Sequence, residues 1–97
     1  MAEHHLKTLP QFWASVEKGE KTFEARQNDR DYKPGDELHL YRYDESDLPK
    51  NFEFDRHKHK LPKLVFKAGM ILYGPGYGLA AGYAVISLLP VNPEKKK

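Results

Sequence analysis

The sequence contains no cysteine among its 97 residues. This absence excludes disulfide bonds, thiolate nucleophiles and cysteine-ligated zinc, and it is typical of proteins from reducing compartments. Long apolar runs are missing too, since no stretch approaches the roughly 20 residues that a membrane-spanning helix needs. The first five residues also lack the apolar core of a signal peptide. We therefore expect a soluble, cytoplasmic protein with no membrane partner.

Neither sign of charge dominates, because 16 Lys and Arg stand against 14 Asp and Glu for a formal net charge of +2. Such a balance does not by itself indicate a polyanionic partner. The distribution is more informative: residues 56–67 contain five Lys or Arg and no acid, and the last three residues are lysines. We expect both basic clusters to contact phosphates, with Lys58 and Lys60 as candidate ligands of a nucleic acid.

The length of the chain predicts one domain with a modest core and excludes a large multi-domain enzyme. We expect this domain to span residues 1–90. Two prolines and the lysine run at the end predict a disordered basic tail over residues 91–97.

The segment from Thr8 to Lys18 predicts the first helix. Thr8 and Gln11 have the spacing of a capping box, and Gly19 follows as the expected left-handed residue at the helix end. Apolar side chains recur at helical spacing and predict a stripe that faces the core. The stripe consists of Leu9, Phe12, Trp13 and Val16.

Four segments predict β-strands, because β-forming residues dominate them or polar and apolar residues alternate. They are residues 22–26, 37–43, 64–73 and 83–89. Leu38 and Leu40 should point inward, and the last strand is so apolar that we expect it to be buried on both faces. Residues 44–62 predict a long mobile loop or an extended hairpin. Together with one or two flanking helices, these elements predict an α+β fold, a small mixed β-barrel.

The densest group of chemically useful side chains lies in residues 19–31. Strand periodicity places Glu24 and Arg26 on one face. An arginine offers a planar fork to phosphates or base edges, and a glutamate accepts from an exocyclic amine. A solvated ion pair and an ordinary Asx turn remain alternatives. The nucleic-acid-binding candidates here are Lys21, Glu24, Arg26, Asn28 and Arg30.

Tyr77 stands in a second irregular segment, between glycines at positions 76 and 78. Such a backbone allows close approach to a ligand, with the ring available for base stacking. A flexible hairpin connection explains the same residues, so both interpretations stay open.

His57 and His59 are one residue apart and resemble a fragment of a metal site. Their neighbours are cationic and no third ligand is in view, so we predict no metal site and no cofactor.

Several motifs together resemble the ASCH-related, PUA-like domains. They are the string Lys-Thr-Phe-Glu-Ala-Arg at 21–26, the residues Asn-Asp-Arg at 28–30 and the Pro-Gly-Asp turn at 34–36. The opening residues 4–7, the helix end at 17–19 and the closing Gly-Tyr-x-Val-Ile-Ser at 82–87 are similar to a small bacterial and phage branch of that superfamily. The resemblance spans nearly the whole chain apart from the tail and the middle of the 44–62 segment.

This resemblance implies a small β-barrel that binds RNA or a nucleotide in a cleft lined by Lys21, Glu24 and Arg26. We expect a monomer whose partner is RNA, a nucleotide or a nucleoside.

Some ASCH domains resemble amidohydrolases that deacetylate acetylcytidine with a lysine, a threonine and a glutamate, and others resemble nucleases. Lys21 matches the lysine, whereas Glu24 stands where the threonine is expected and residues 64–73 contain no acid. The alternative function is therefore a metal-independent hydrolase of modified nucleosides or RNA. Lys21 and Glu24 would transfer protons, with Thr22 as a reserve nucleophile. A third hypothesis is a protein-interaction domain that uses residues 44–62.

Overall fold

Five strands and two short helices make up the fold. The computed structural model describes residues 1–91, so residues 92–97 of the predicted tail lie outside the described residues. The elements are β1 (Glu3–Thr8), α1 (Pro10–Glu17), β2 (Phe23–Gln27), β3 (Glu37–Arg42), α2 (Phe54–His57), β4 (Lys63–Tyr73) and β5 (Tyr83–Pro90).

The strands form one sheet in the order β1-β3-β4-β5-β2. The pair β1–β3 is parallel and the other pairs are antiparallel. The sheet curls into a half-barrel, so the edge strands β1 and β2 lie at its two ends. The prediction of a barrel-like α+β fold is confirmed at this level.

The prediction of four strands was wrong, because β1 was missed. The inward positions of β1 are His4, Leu6 and Thr8, all of them buried. Only Leu6 is aliphatic, so the alternation of buried and exposed residues is not visible as an alternation of hydrophobicity.

The core lies between α1 and the concave side of the sheet. Trp13 and Val16 face inward from α1, and the Trp13 indole N–H donates to the carbonyl of Leu40 at 2.9 Å. Leu38 and Leu40 are fully buried, as predicted. The predicted apolar stripe was too wide, because Leu9 and Phe12 are exposed. Leu9 precedes the helix, and Phe12 lines a surface cleft.

The predicted capping box was also wrong. Thr8 is the last residue of β1, and α1 starts after Leu9 without a side-chain cap. Pro10 lies in the first turn, where a backbone N–H has no intrahelical acceptor, so the N–H that proline lacks costs the helix no hydrogen bond. The end of the helix agrees with the prediction, since Gly19 has φ +83°.

Two further predictions are corrected by the sheet and its connections. In β5 only Ala84, Ile86 and Leu88 are buried, because one face of this antiparallel strand packs on the core. The 44–62 segment contains short helical turns rather than a hairpin. Within it, Phe54 packs edge-on against the ring of Tyr43, with centroids 5.9 Å apart.

A buried carboxylate ties the start of β1 to the turn before β3. Asp36 accepts hydrogen bonds from the His4 ring at 2.8 Å and from the backbone N–H groups of Ala2 and Lys33, each at 3.1 Å. Burial acts to raise the pKa of Asp36, but these hydrogen bonds outweigh it, so the pKa lies below its ordinary value.

Within residues 1–91, no helix is long and apolar enough to cross a membrane.

Candidate functional site

Two arginines bridge the seam between the edge strands β1 and β2. Arg26 donates from Nη2 to the carbonyl of Lys7, and Arg30 donates from Nη1 to the carbonyl of His5 at 3.1 Å. Arg26 lies in β2 and Arg30 in the turn after it, so these side-chain bonds link the two opposite ends of the sheet order, which the sheet ladder does not.

The acceptors are available because of strand periodicity. The carbonyls of Ala2 and Thr8 accept from β3, at the N–H groups of Glu37 and Tyr43. Backbone groups of alternate residues point to opposite edges of a strand, so the odd-numbered carbonyls of β1 face away from β3. The arginines therefore satisfy carbonyls that the parallel pairing leaves free.

Glu24 lies beside this seam as a buried carboxylate between two cations. It is 5 % exposed, and its two oxygens accept from Lys21 Nζ at 3.0 Å and Arg26 Nε at 2.9 Å. A buried carboxylate needs such partners, because an unpaired charge in this position would be strongly destabilising. The sequence prediction that Glu24 and Arg26 point together is confirmed, and Lys21 joins them.

Aromatic rings surround the Lys21 ammonium group. It lies 4.9 Å from the ring centroid of Phe23 and 5.6 Å from that of Phe12, within the range of cation–π attraction. It also donates to the Phe23 carbonyl at 2.7 Å. Lys21 is thereby fixed in one position at the mouth of the cleft.

These side chains enclose a cleft of about 490 Å³. It is bounded by α1, β2 and the end of β1, and its charged lining consists of four cations and the carboxylates of Glu24 and Asp29. The lining includes Lys7, Thr8, Phe12, Lys21, Glu24, Arg26, Asp29, Arg30 and Tyr83. A second cavity of about 570 Å³ shares Lys7, Arg26 and Arg30 and continues toward α2. Cationic side chains therefore join two adjacent concave surfaces.

One hydroxyl group in the cleft lining has no hydrogen-bond partner. Thr8 is 3 % exposed, and its Oγ1 is buried without a partner among the described residues. Buried polar groups are nearly always paired in proteins, so an unpaired one at a cleft is consistent with a partner supplied by a ligand or by water.

Below the arginines lies a buried tyrosine. Burial raises the pKa of Tyr32, and the positive charges of Arg26 and Arg30 act in the opposite direction. Its ring meets the His4 ring edge-on, with centroids 4.7 Å apart. The buried Tyr32 side chain therefore lies close enough to Arg26 and Arg30 for their charges to act on its hydroxyl group.

The structure does not bring every predicted site residue to the cleft. Asn28 instead holds the connection after β2, because its side-chain oxygen accepts from the Tyr32 N–H at 3.0 Å. Tyr77 is exposed in the turn between β4 and β5 and lines none of the described cavities. Thr22 lines a separate, more apolar cavity next to Val16, not the cleft of Glu24.

The basic segment lies apart from the cleft as well. Lys58 and Lys60 belong to a helical turn after α2 and line two other cavities. Lys58 and Lys60 thus do not line the cleft that contains Lys21 and Arg26. They follow α2 in the chain, and α2 itself lines the second cavity through Phe54, Asp55 and Arg56.

Sequence reasoning missed four of the lining residues: Lys7, Thr8, Phe12 and Tyr83. Lys7 and Thr8 were missed with β1, and Phe12 was assigned to the core stripe. Tyr83 is paired with Gln27 across β2 and β5, so its position near the cleft depends on a long-range register. No local sequence pattern marks β1, because only Leu6 among its inward positions is aliphatic.

The fold and the cleft define a small α+β domain with a cationic, aromatic-edged cleft at the seam of a half-barrel. The chain belongs to the family described as a domain of unknown function, DUF3850, whose sequence model matches residues 3–88. That range runs from the first residue of β1 into β5 and includes every lining residue of the cleft. No curated protein matches the chain at a significant level.

Proposed function

We propose that the chain is an RNA- or nucleotide-binding domain of the ASCH-related, PUA-like kind, and that the cleft at the β1–β2 seam is its binding site. The observation that supports this most strongly is the combination, in one cleft, of fixed cations, exposed aromatic rings and an unpaired hydroxyl group. Phosphates, bases and sugar hydroxyls call for these three kinds of contact.

The cations remain able to bind an anion although they also hold the seam. A guanidinium group has five N–H donors. The hydrogen bonds described above use only part of this capacity in Arg26 and Arg30. Lys7 adds a flexible ammonium group that lies 4.9 Å from the Tyr43 ring centroid, where the two cavities meet. A phosphate at this point would be within the reach of three positive charges.

The aromatic contribution comes from Phe12 and Tyr83. Both line the cleft, and they are 46 % and 42 % exposed, respectively. Large exposed rings at a cationic cleft are typical of base-stacking platforms, and each stacked base contributes about 1–3 kcal/mol by alanine substitution. In this role they replace Tyr77 of the sequence-based prediction.

The test is a binding titration of a fluorescein-labelled, 12-nucleotide single-stranded RNA, followed by anisotropy at several salt concentrations. We expect Lys7→Ala and Arg30→Gln each to weaken binding at least fivefold and to reduce the salt slope by about 0.7, the value for one phosphate contact in a single strand. Lys60→Ala is the matched control, since it removes an equally exposed cation outside the cleft. We expect it to change the affinity less than twofold.

Failure of the proposal has a clear form. If the RNA does not bind, or if Lys60→Ala weakens binding as much as Arg30→Gln does, the cleft is not the binding site. Far-ultraviolet circular dichroism of each variant separates a lost contact from a lost fold.

The contact between Lys21 and Glu24 favours a second candidate function, hydrolysis of an acetylated nucleoside. In this reaction the oxygen of water bonds to the acetyl carbon and the C–N bond breaks, with one proton moving from the water to the leaving nitrogen. Glu24 and Lys21 are adjacent groups for that proton transfer. Thr8 contributes a hydroxyl group to the same cleft lining, whereas Thr22 does not line it.

Incubation with acetylcytidine followed by chromatography tests this candidate. Release of cytidine by the wild type and its loss in Glu24→Gln, with nucleoside binding retained, would establish a hydrolase. Binding of acetylcytidine without release of cytidine would favour the binding domain over the hydrolase. We also propose a cytoplasmic location and a monomeric state, which the sequence indicates.

A further inference from the structure

A second cluster of polar side chains lies on the outer face of the parallel pair β1–β3, among residues that do not line the cleft. The register places Glu3 opposite Glu37 and His5 opposite His39. One carboxylate oxygen from each glutamate and one ring nitrogen of His39 lie within 4.8 Å of one another. Residues from two strands therefore converge on one point.

The two carboxylates are an unfavourable pair on their own. Like charges directly opposite each other on neighbouring strands are destabilising. The His39 Nε2 atom is 3.0 Å from the nearer oxygen of Glu37 and 4.0 Å from that of Glu3. A cation bound by both carboxylates would replace this repulsion with attraction. The His39 ring lies beside both carboxylates and can serve as a third ligand of such a cation.

The distances match a metal ion with little rearrangement. Bonds of about 2.0–2.2 Å from a tetrahedral zinc ion to nitrogen and oxygen place neighbouring ligand atoms about 3.3 Å apart. The 3.0 and 4.0 Å separations lie on either side of this value. Glu3 is exposed and has the freedom to close the longer one by rotating its side chain.

His39 is suited to serve as the fixed ligand. It is 7 % exposed, so burial limits the ring to one position, and its Nδ1 atom has no hydrogen-bond partner among the described residues. A carboxylate can only accept, so the 3.0 Å contact with Glu37 is made by an Nε2–H donor, and a metal ion bound at Nε2 would take the place of that proton. Neutral imidazole with one free nitrogen is the form that metals bind.

His5 supports the arrangement from the side. Its Nε2 atom is 3.3 Å from Glu3 Oε1, and its Nδ1 atom is 2.9 Å from the hydroxyl group of Tyr41. The His5 ring is thereby held between Glu3 and Tyr41, next to the ring of His39 at a centroid distance of 4.6 Å. Hydrogen bonds of this kind orient metal-binding carboxylates.

We propose that Glu3, Glu37 and His39 form a binding site for a zinc-like divalent transition-metal ion, with His5 positioning Glu3. A ligand set of one imidazole and two carboxylates suits Zn²⁺ better than Mg²⁺, which prefers oxygen ligands and bound water. The site lies outside the cleft and is independent of the proposed function. It differs from the sequence-based expectation that the chain has no metal site.

The test is calorimetric titration of Zn²⁺ into the full, tag-free chain, with Co²⁺ absorption between about 500 and 650 nm as the readout of tetrahedral geometry. We expect one Zn²⁺ per chain, and at least tenfold weaker binding in His39→Asn and in Glu37→Gln. His59→Asn is the matched control, because it removes an exposed histidine outside the site, and we expect less than a twofold change. Mg²⁺ should not compete at equal concentration.

Two results would overturn the proposal. One is Zn²⁺ binding by the wild type that is absent or no tighter than in Glu37→Gln. The other is a loss of binding in His59→Asn equal to that in His39→Asn, which would place the metal on the helical turn. If His39→Asn does not fold, Glu3→Gln decides the matter, since Glu3 is 58 % exposed in its side chain and its replacement does not disturb the core.

Discussion

Replacement of Glu24 by glutamine tests whether the buried ion triad with Lys21 and Arg26 stabilises the fold. The two contacts of Glu24 are 3.0 and 2.9 Å long. Hydrogen bonds to charged groups contribute about 1.5–3 kcal/mol each. Glutamine keeps one carbonyl oxygen for one cation but turns its NH₂ group toward the other. We therefore expect Glu24→Gln to lower the free energy of unfolding by about 2–4 kcal/mol.

This loss is large for a chain of 97 residues, whose total stability is expected to be about 5–15 kcal/mol. At about 4–8 °C per kcal/mol for a domain of this size, the melting temperature should fall by roughly 10–25 °C. The assay is urea unfolding followed by the fluorescence of Trp13, the only tryptophan, which is buried in the core. Glu20→Gln is the control, because Glu20 is exposed in the same connection.

A double-mutant cycle then separates the ion pair from other effects of the substitution. Lys21→Met should cost more stability in the wild type than in the Glu24→Gln background, with a coupling of at least about 1 kcal/mol for groups in direct contact. A value for Glu24→Gln within about 0.5 kcal/mol of wild type, the range of ordinary surface substitutions, would refute the view that the triad supports the fold.

Three further experiments test separate parts of the structure. A Cβ at Gly74 would overlap the carbonyl oxygen of Ala80, whereas a Cβ at Gly19 would meet open space and be strained only by the φ of +83°. Thermal denaturation should therefore show a larger loss of stability for Gly74→Ala than the about 1–2 kcal/mol expected for Gly19→Ala. Because the pKa of Asp36 is lowered on folding, the ionised carboxylate stabilises the fold fully above the unfolded pKa of 3.8, and this stabilisation is lost as the pH falls through the folded pKa. The urea midpoint, measured between pH 2 and 7, should therefore depend less on pH in Asp36→Asn than in the wild type. Thr8→Val removes the unpaired hydroxyl group at nearly constant volume, so stability should stay equal or rise while RNA affinity falls; unchanged affinity would show that this hydroxyl group does not contact the ligand.

The central part of the candidate site could be predicted because it is local. Glu24 and Arg26 are two residues apart in a strand, and this spacing alone puts them on one face. Lys21 is close enough in sequence to join them. The strands with aliphatic residues at inward positions, such as Leu38 and Leu40, were identified by the same alternation.

The rest could not be predicted because it depends on long-range pairing or on buried polar residues. His4 is inside the fold only because Asp36, 32 positions away, accepts its hydrogen bond, so no local pattern reveals β1. Tyr83 reaches the cleft through the register of β5 with β2. The convergence of Glu3 with Glu37 likewise requires a parallel pairing that joins the two ends of a long connection.

The arginine bonds across the seam have a consequence for how copies of this protein behave together. The outward carbonyls of β1 form the acceptor side of an exposed strand edge, which is the kind of edge that recruits strands from other molecules. Arg26 and Arg30 occupy two of these carbonyls, at Lys7 and His5, with bulky charged groups. The side chains that line the cleft therefore also cover part of this strand edge and hinder its pairing with strands of other molecules.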